Sequence, residues 1–428
     1  MKFRLIILTL AAGCVLASCH TSRQASRRRQ VQADYLSGPL GAQGGVAPLE
    51  RLQPADEGRG ADVAAAEPAE VLPPLQCALR DIMADTLLQT SMLGLSIVDV
   101  ATGEVICCHN ARQRMRPAST EKMVTAIAAL GVLGPNHQLR TRLMTTADVV
   151  GGTLRGDLYV RGAMDPLLTA ADVRTLAQRL HNAGIREVRG RLVADATLKD
   201  ADKWGWGWCW DDDNPELSPM LVGGKPALAT ALLNALRGAG VKVSVPTVVR
   251  GQTPAAAREL ASVGHALREV LQPMLKESDN LCAEAVFYQL GPTRKAVEQR
   301  IRAALPVSAD AVIADGSGLS LYNYQTAETF TNLLLHAVAQ PDSILTPLLA
   351  ALPIAATDGT LKRRMADTPA AGNVRAKTGS VTAVSTLVGF TRQRSTGHLI
   401  AFAILNQGVR TMAEGRNLQD RICIALSE

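Results

Sequence analysis

Residues 115–122 read Met115-Arg116-Pro117-Ala118-Ser119-Thr120-Glu121-Lys122 and run into an apolar stretch, Met123 to Leu133, rich in Ala, Val, Ile and Leu. That composition suits a buried helix with Ser119 at its first turn. A serine there lies at the positive end of the helix dipole. Lys122, three residues on, projects from the same face, so hydroxyl and amine can meet. A serine hydroxyl is a weak nucleophile until a base takes its proton, and a lysine serves as base only if burial or a nearby cation destabilises its ammonium. An N-capping serine beside a surface lysine explains the same residues, and Ser-x-x-Lys alone does not decide between the two.

Upstream, Gly94 to Val100 reads as a strand, Thr102-Gly103 as a turn, and Val105-Ile106 as the start of a second strand, which together make a hairpin. Downstream, Leu267 to Lys276 reads as an amphipathic helix ending in Glu277-Ser278-Asp279-Asn280. Ser278 offers a second hydroxyl for proton relay and Asn280 an amide able to bind a peptide group, although a polar helix cap has the same composition. Further on, Lys377-Thr378-Gly379-Ser380 heads an apolar strand-like run through Val381, Val384, Leu387 and Val388. Lysine and threonine at a strand head can hold a carboxylate, and Gly379 lets a ligand backbone approach the strand edge. Lys-Thr-Gly arises by chance in about one such chain in twenty, so the ordered trio is far more specific than any member.

Ser-x-x-Lys, Ser-Asp-Asn and Lys-Thr-Gly in this order are the signature of penicillin-binding proteins and class A β-lactamases. With Asp165-Pro166 after Gly156 to Val160, and Asp315-Gly316-Ser317-Gly318-Leu319-Ser320, the chain resembles the D-alanyl-D-alanine carboxypeptidase/endopeptidase family of class C low-molecular-mass penicillin-binding proteins, the peptidase S13 group. The resemblance covers most of residues 75–428. It implies an α/β (α+β) fold: a transpeptidase-like domain with an antiparallel five-stranded sheet flanked by helices, plus an inserted, smaller β-rich domain. It also implies that the three motifs converge in a cleft at the sheet edge. In this reading Ser119 attacks the carbonyl between two terminal D-alanines of a peptidoglycan stem peptide, with Lys122 as proton acceptor. Ser278 relays the proton to the leaving amine, and Asn280 orients the peptide. Lys377 with Thr378 holds the terminal carboxylate along the Gly379 edge, while the N–H groups of Ser119 and Ser380 receive the oxyanion. β-Lactams are then covalent inhibitors, and no cofactor or metal is called for.

Ser119 and Ser278 stand 159 residues apart, longer than a class A β-lactamase is expected to allow. The spacing places an insertion at residues 141–220, where Gly151-Gly152, Leu158 to Val160 and Leu192-Val193 suggest turns and short strands around one helix, Val173 to Ala183. The catalytic domain then comprises 75–140 and 221–428. Trp204, Trp206, Trp208 and Trp210, followed by Asp211 to Asp213, alternate as one face of an extended segment would, which fits a packed β-rich corner better than a sugar or peptide platform.

The 428 residues suffice for two to three domains, and 47% apolar with 20% charged residues excludes a disordered or collagen-like chain. Aromatics at 3% and a formal charge of only +6 argue against a nucleic-acid binder. At the start, Lys2 and Arg4 precede the apolar run Leu5 to Leu16, too short for a membrane span, and then Leu16-Ala17-Ser18-Cys19. This resembles a lipoprotein signal, which implies cleavage after residue 18 and lipidation of Cys19. An ordinary signal peptide with an incidental cysteine is the alternative. Residues 19–74, with Arg27-Arg28-Arg29 and many Ser, Gln, Gly and Pro, read as a tether, so the expected location is the periplasmic face of the cell envelope, by a lipid anchor. Six cysteines follow Cys19; an oxidising compartment permits disulfides, but no pairing can be deduced, and neither cysteine nor histidine spacing suggests a metal site. Two other functions fit parts of the pattern: a β-lactamase, which the spacing disfavours, and a non-catalytic lipid-anchored cell-wall binding or sensing protein, which the intact motifs disfavour.

Overall fold

A computed structural model describes residues 74–212 and 214–428. The expected signal peptide, the lipidation site Cys19 and the tether up to residue 73 lie outside the described residues, as does Asp213. The chain divides into two compact units. Among the described residues, one contains 74–115, Thr326–Leu345 and Ile354–Glu428; the other contains those of 116–325 and Thr346–Pro353.

The first unit opens with the helix Pro74–Met83 and the hairpin of β1 (Met92–Asp99) and β2 (Val105–His109). The chain then enters the second unit, where it builds a mixed sheet from β3 (Gln138–Thr145), β4 (Val149–Val150), β5 (Thr153–Leu154), β6 (Leu158–Arg161), β7 (Glu187–Asp195), β8 (Lys242–Arg250) and β9 (Arg258–Ala266). It returns to the first unit with β10 (Arg375–Val381), β11 (Val384–Arg392) and β12 (Leu399–Gln407).

The five strands of the first unit order as β10-β11-β12-β1-β2, antiparallel throughout. β11 and β12 are buried along nearly their whole length, as a sheet covered on both faces requires; β12 is an apolar run from Leu399 to Leu405, whereas β11 buries Ser385, Thr386 and Thr391 among its apolar residues. On one face Leu93, Leu95 and Ile97 of β1 pack with Leu75 and Leu79 of the first helix and with Leu418, Ile422 and Leu426 of the last, Met412–Ser427. On the other, Ser96 hydrogen-bonds Thr331 of the helix Ala327–Val338, hydroxyl to hydroxyl at 2.8 Å. This is the sheet anticipated above, and the fold is a β-lactamase/penicillin-binding-protein type of α/β fold with an additional mixed-sheet domain.

The second sheet includes β3, β8 and β9, so its strands span residues 138–266. β3 pairs with β9 across more than a hundred residues of sequence. Two helices pack in this region, Ala170–Asn182 and Leu228–Gly238, through Val173, Leu176, Leu180, Leu232 and Leu236. The tryptophan segment differs from the expectation: Trp204 to Trp210 form turns and bends without a strand, Trp204, Trp206 and Trp210 are exposed, and Trp208 turns inward. The second unit also holds the helices Glu121–Leu133, Leu267–Lys276, Asn280–Gln289 and Arg294–Ala304. The six described cysteines are all free thiols.

Candidate active site

Ser119 sits in a short 3-10 turn, Ala118–Thr120, that feeds directly into the helix Glu121–Leu133. The first ten residues of that helix are all buried, which the Ala, Val and Ile content of the sequence permits, and Lys122 is carried inside with them. The turn is tight. Ala118 adopts a positive φ of 47°, and the Gly318 backbone crosses so closely that a Cβ there would stand 1.9 Å from the Ala118 carbonyl oxygen. Only glycine, at φ +83°, fits this crossing.

The Lys122 amine has no solvent exposure and meets three oxygens: Ser119 Oγ at 3.0 Å, Asn280 Oδ1 at 2.7 Å and the Ser317 carbonyl at 2.7 Å. An ammonium has three N–H donors, and here each has an acceptor. When the amine loses a proton it keeps two donors and gains a lone pair. The Asn280 and Ser317 acceptors are carbonyl oxygens, which cannot donate back, so the lone pair must face Ser119, whose hydroxyl can. The arrangement therefore aims the amine lone pair at the Ser119 hydroxyl.

Burial pushes the Lys122 pKa down to about 8, against the opposing pull of Asp315, Glu284 and Asp279. At neutral pH a useful fraction of this amine is thus free to act as base, whereas an exposed lysine would offer almost none.

The second motif arrives on the turn between two helices. Leu267–Lys276 carries Pro273 in its interior, and the N–H groups of Glu277 and Asp279 both close back onto the Pro273 carbonyl. Ser278 is held at φ +64°, a conformation that costs a non-glycine residue of order 1 kcal/mol and persists only where the surroundings enforce it. Asp279 caps the next helix by accepting the Cys282 N–H at 2.7 Å, which points Asn280 toward Lys122. The residue that caps the helix and the residue that meets the Lys122 amine are thus neighbours in sequence.

A third segment, Ala314 to Ser320, received no role from the sequence, yet it carries the Ser317 carbonyl. Asp315 organises it as an acceptor: Oδ1 takes the Gly318 N–H and the Asn323 amide, and Oδ2 takes the Ser320 N–H and the Trp208 indole. Glu284 Oε1 accepts the N–H groups of Gly316 and Ser317 at 3.0 and 2.8 Å, and Thr125 donates to the Gly316 carbonyl at 2.8 Å. Glu284 and Glu121 are both buried. Burial, reinforced by Asp315, pushes Glu284 up to about 8 and holds Glu121 well above the usual carboxyl range. The Asp-Gly-Ser-Gly run was a visible turn signal; the contribution of a main-chain carbonyl and of a helical glutamate had none.

Lys377, Thr378, Gly379 and Ser380 lie on β10, at the end of the five-stranded sheet, in the other unit. The Lys377 side chain is fully buried there and donates to the Thr378 carbonyl at 2.6 Å, while Thr378 Oγ1 donates to Thr360 Oγ1 at 2.8 Å. Among the described residues no cluster of His, Cys, Asp and Glu has the makings of a metal site.

The fold is of the β-lactamase/penicillin-binding-protein class, with Ser119, Lys122 and Asn280 gathered around one buried amine. The chain belongs to the D-Ala-D-Ala carboxypeptidase 3 (S13) family, whose model matches residues 75–221 and 224–428, and it is a serine-type D-Ala-D-Ala carboxypeptidase. It is 31% identical over 376 residues to a carboxypeptidase of Mycobacterium tuberculosis, covering 77% of this chain and 79% of that one. It is 28% identical over 455 residues to a D-alanyl-D-alanine carboxypeptidase of Actinomadura, covering 81% and 83%. In fold it is similar to penicillin-binding protein 4 of Haemophilus influenzae, with a TM-score of 0.71 at 23% identity over 79% of this chain and 98% of that one. A second structure of that Haemophilus protein, complexed with a β-lactam, superposes with a TM-score of 0.65 at 23% identity over 82% and 99%.

Proposed function

We propose that this carboxypeptidase removes the terminal D-alanine of peptidoglycan stem peptides through an acyl-enzyme on Ser119, and that it also cleaves peptide cross-links. The observation that carries the reading is the buried Lys122 amine, 3.0 Å from the Ser119 hydroxyl and limited by its other two partners to that hydroxyl as proton donor. Lys122 takes the Ser119 proton as Oγ attacks the scissile carbonyl. The N–H groups of Ser119 and Ser380 receive the developing oxyanion, each contributing about 3 kcal/mol by comparison with other acyl-transfer sites. Ser278 passes the proton to the departing D-alanine amine, Asn280 orients the peptide, and Lys377 with Thr378 binds the terminal carboxylate. Water, activated by the same lysine, then releases the shortened peptide.

A β-lactam presents a strained amide to the same serine and leaves an ester with no small amine departing, so we expect Ser119 to be acylated and held. The lipoprotein-like start further suggests a mature N-terminus at lipidated Cys19 on the periplasmic face of the envelope; mass spectrometry of the N-terminal peptide from native membranes tests this, and an unmodified Cys19 in the mature protein rejects it.

The deciding experiment is digestion of purified muropeptides followed by mass spectrometry. Loss of one D-alanine from pentapeptides establishes carboxypeptidase action, and conversion of cross-linked dimers to monomers establishes endopeptidase action. Products unchanged after incubation with the full chain would reject the reading.

A further inference from the structure

The loop that supplies the Ser317 carbonyl is clamped from beneath by one side chain. Glu284 Oε1 holds the N–H groups of Gly316 and Ser317, and the loop lies so close to the helix Asn280–Gln289 that a Cβ on Gly316 would stand 2.9 Å from the Ala283 carbonyl. The Ser317 carbonyl is one of the two acceptors that prevent the Lys122 lone pair from pointing away from Ser119. The Glu284 carboxyl accepts from Gly316 and Ser317 rather than bonding Ser119 or Lys122, and the residue is about 1% exposed.

We propose that Glu284 is a positioning residue for the active-site amine: it fixes the carbonyl that aims Lys122 at Ser119, and its charge state sets the pH at which Lys122 becomes free to act. This rests on the reading of Ser119 and Lys122 as nucleophile and base.

The groups facing this pair are few. From the nucleophile's helix come Lys122 and Glu121, from the loop Asp315, and from the Glu284 helix and its cap Asp279, Cys282 and Tyr288. Asp315 accepts four donors. An ionised Glu284 would add a buried negative charge near the amine and hold the proton on Lys122; a protonated Glu284 would release it. The two titrations are therefore linked, and the acid limb of acylation should be broader than a single ionisation gives.

Two variants of the full chain separate this from a merely structural role. Glu284→Gln keeps the shape and an acceptor oxygen but cannot ionise, so the acid limb of Ser119 acylation by a fluorescent penicillin should sharpen and move down by about one pH unit. Glu284→Asp keeps the charge but shortens the arm, so acylation should slow about tenfold with its limb in place. Titration of the Lys122 ε-carbon by 13C NMR, assigned by its loss in Lys122→Arg, reads the amine without any substrate and should show the same downward shift in Glu284→Gln. An unmoved lysine titration in Glu284→Gln, or a wild-type acylation rate in Glu284→Asp, overturns the proposal. Should either variant fail to fold, the breadth of the wild-type lysine titration decides: a single sharp ionisation overturns it. Failure of wild-type protein to acylate in the parallel assay would instead count against the carboxypeptidase mechanism, leaving the NMR result to judge Glu284.

Discussion

Gly318→Ala should disable the nucleophile without touching any group that takes part in the chemistry. The added Cβ would lie 1.9 Å from the Ala118 carbonyl oxygen, 2.4 Å from the Ala118 carbonyl carbon and 3.0 Å from the Ser119 nitrogen. Ordinary contact begins near 3.4 Å, so one of the two backbones must retreat by about 1.5 Å. Both are backbone segments, one carrying Ser119 and the other the Ser317 carbonyl, and Lys122 cannot then hold 3.0 Å to one and 2.7 Å to the other. A misplacement of about 1 Å costs on the order of 100-fold in rate, equivalent to roughly 2.7 kcal/mol of barrier. Forcing alanine to a φ of +83° adds about 1 kcal/mol of instability, which a domain of this size should survive. The assay is the second-order rate of acylation by a fluorescent penicillin, with thermal melting run in parallel to confirm a folded protein. A folded variant that acylates at the wild-type rate would refute the argument that this crossing sets the geometry of the site.

Other outcomes follow from the same contacts. Acylation should rise about tenfold per pH unit in mildly acidic buffer and level off above about 8, because the neutral Lys122 is the active form and its pKa is depressed; a rate flat across that range would contradict lysine as base. Lys122→Arg should abolish acylation, since arginine stays protonated at any working pH, and retained turnover would exclude the amine. Asn280→Asp places a carboxylate where the amide oxygen meets Lys122 at 2.7 Å, so the acid limb should move up by about one to three pH units, read from the same pH series. Phe402→Ala, in the core of the five-stranded sheet, should lower unfolding free energy by about 3–5 kcal/mol in urea titration, leaving the position of the pH limb unchanged.

The parts of this molecule that the sequence makes readable are those where a side chain does the work at a short spacing. Ser119 and Lys122 are one helical turn apart, so their meeting follows from local geometry alone. The helix Leu267–Lys276 falls where its apolar periodicity puts it, and the apolar run of β12 marks a strand buried on both faces. The extent of the second sheet is not legible in the sequence, because β3 and β9 pair across more than a hundred residues and β8 is largely exposed, so neither spacing nor burial pattern ties these strands to β7 or to each other. The tryptophans mislead by alternating without forming a strand: glycines at 205 and 207 turn the backbone, and Trp208 is drawn inward by its indole bond to Asp315. Ser317 and Glu284 were invisible for a different reason. One acts through a main-chain carbonyl that any residue possesses, and the other is a helical glutamate whose pattern matches a solvated face until its burial is known.

The central claim, that Ser119 is the nucleophile and Lys122 its base, is most directly tested by peptide mass spectrometry after brief exposure of wild-type protein, Ser119→Ala and Lys122→Arg to benzylpenicillin. The account predicts a single penicilloyl adduct on the Ser119 peptide of wild-type protein and none in either variant. An adduct on any other serine, or an adduct of equal yield in Lys122→Arg, would contradict it.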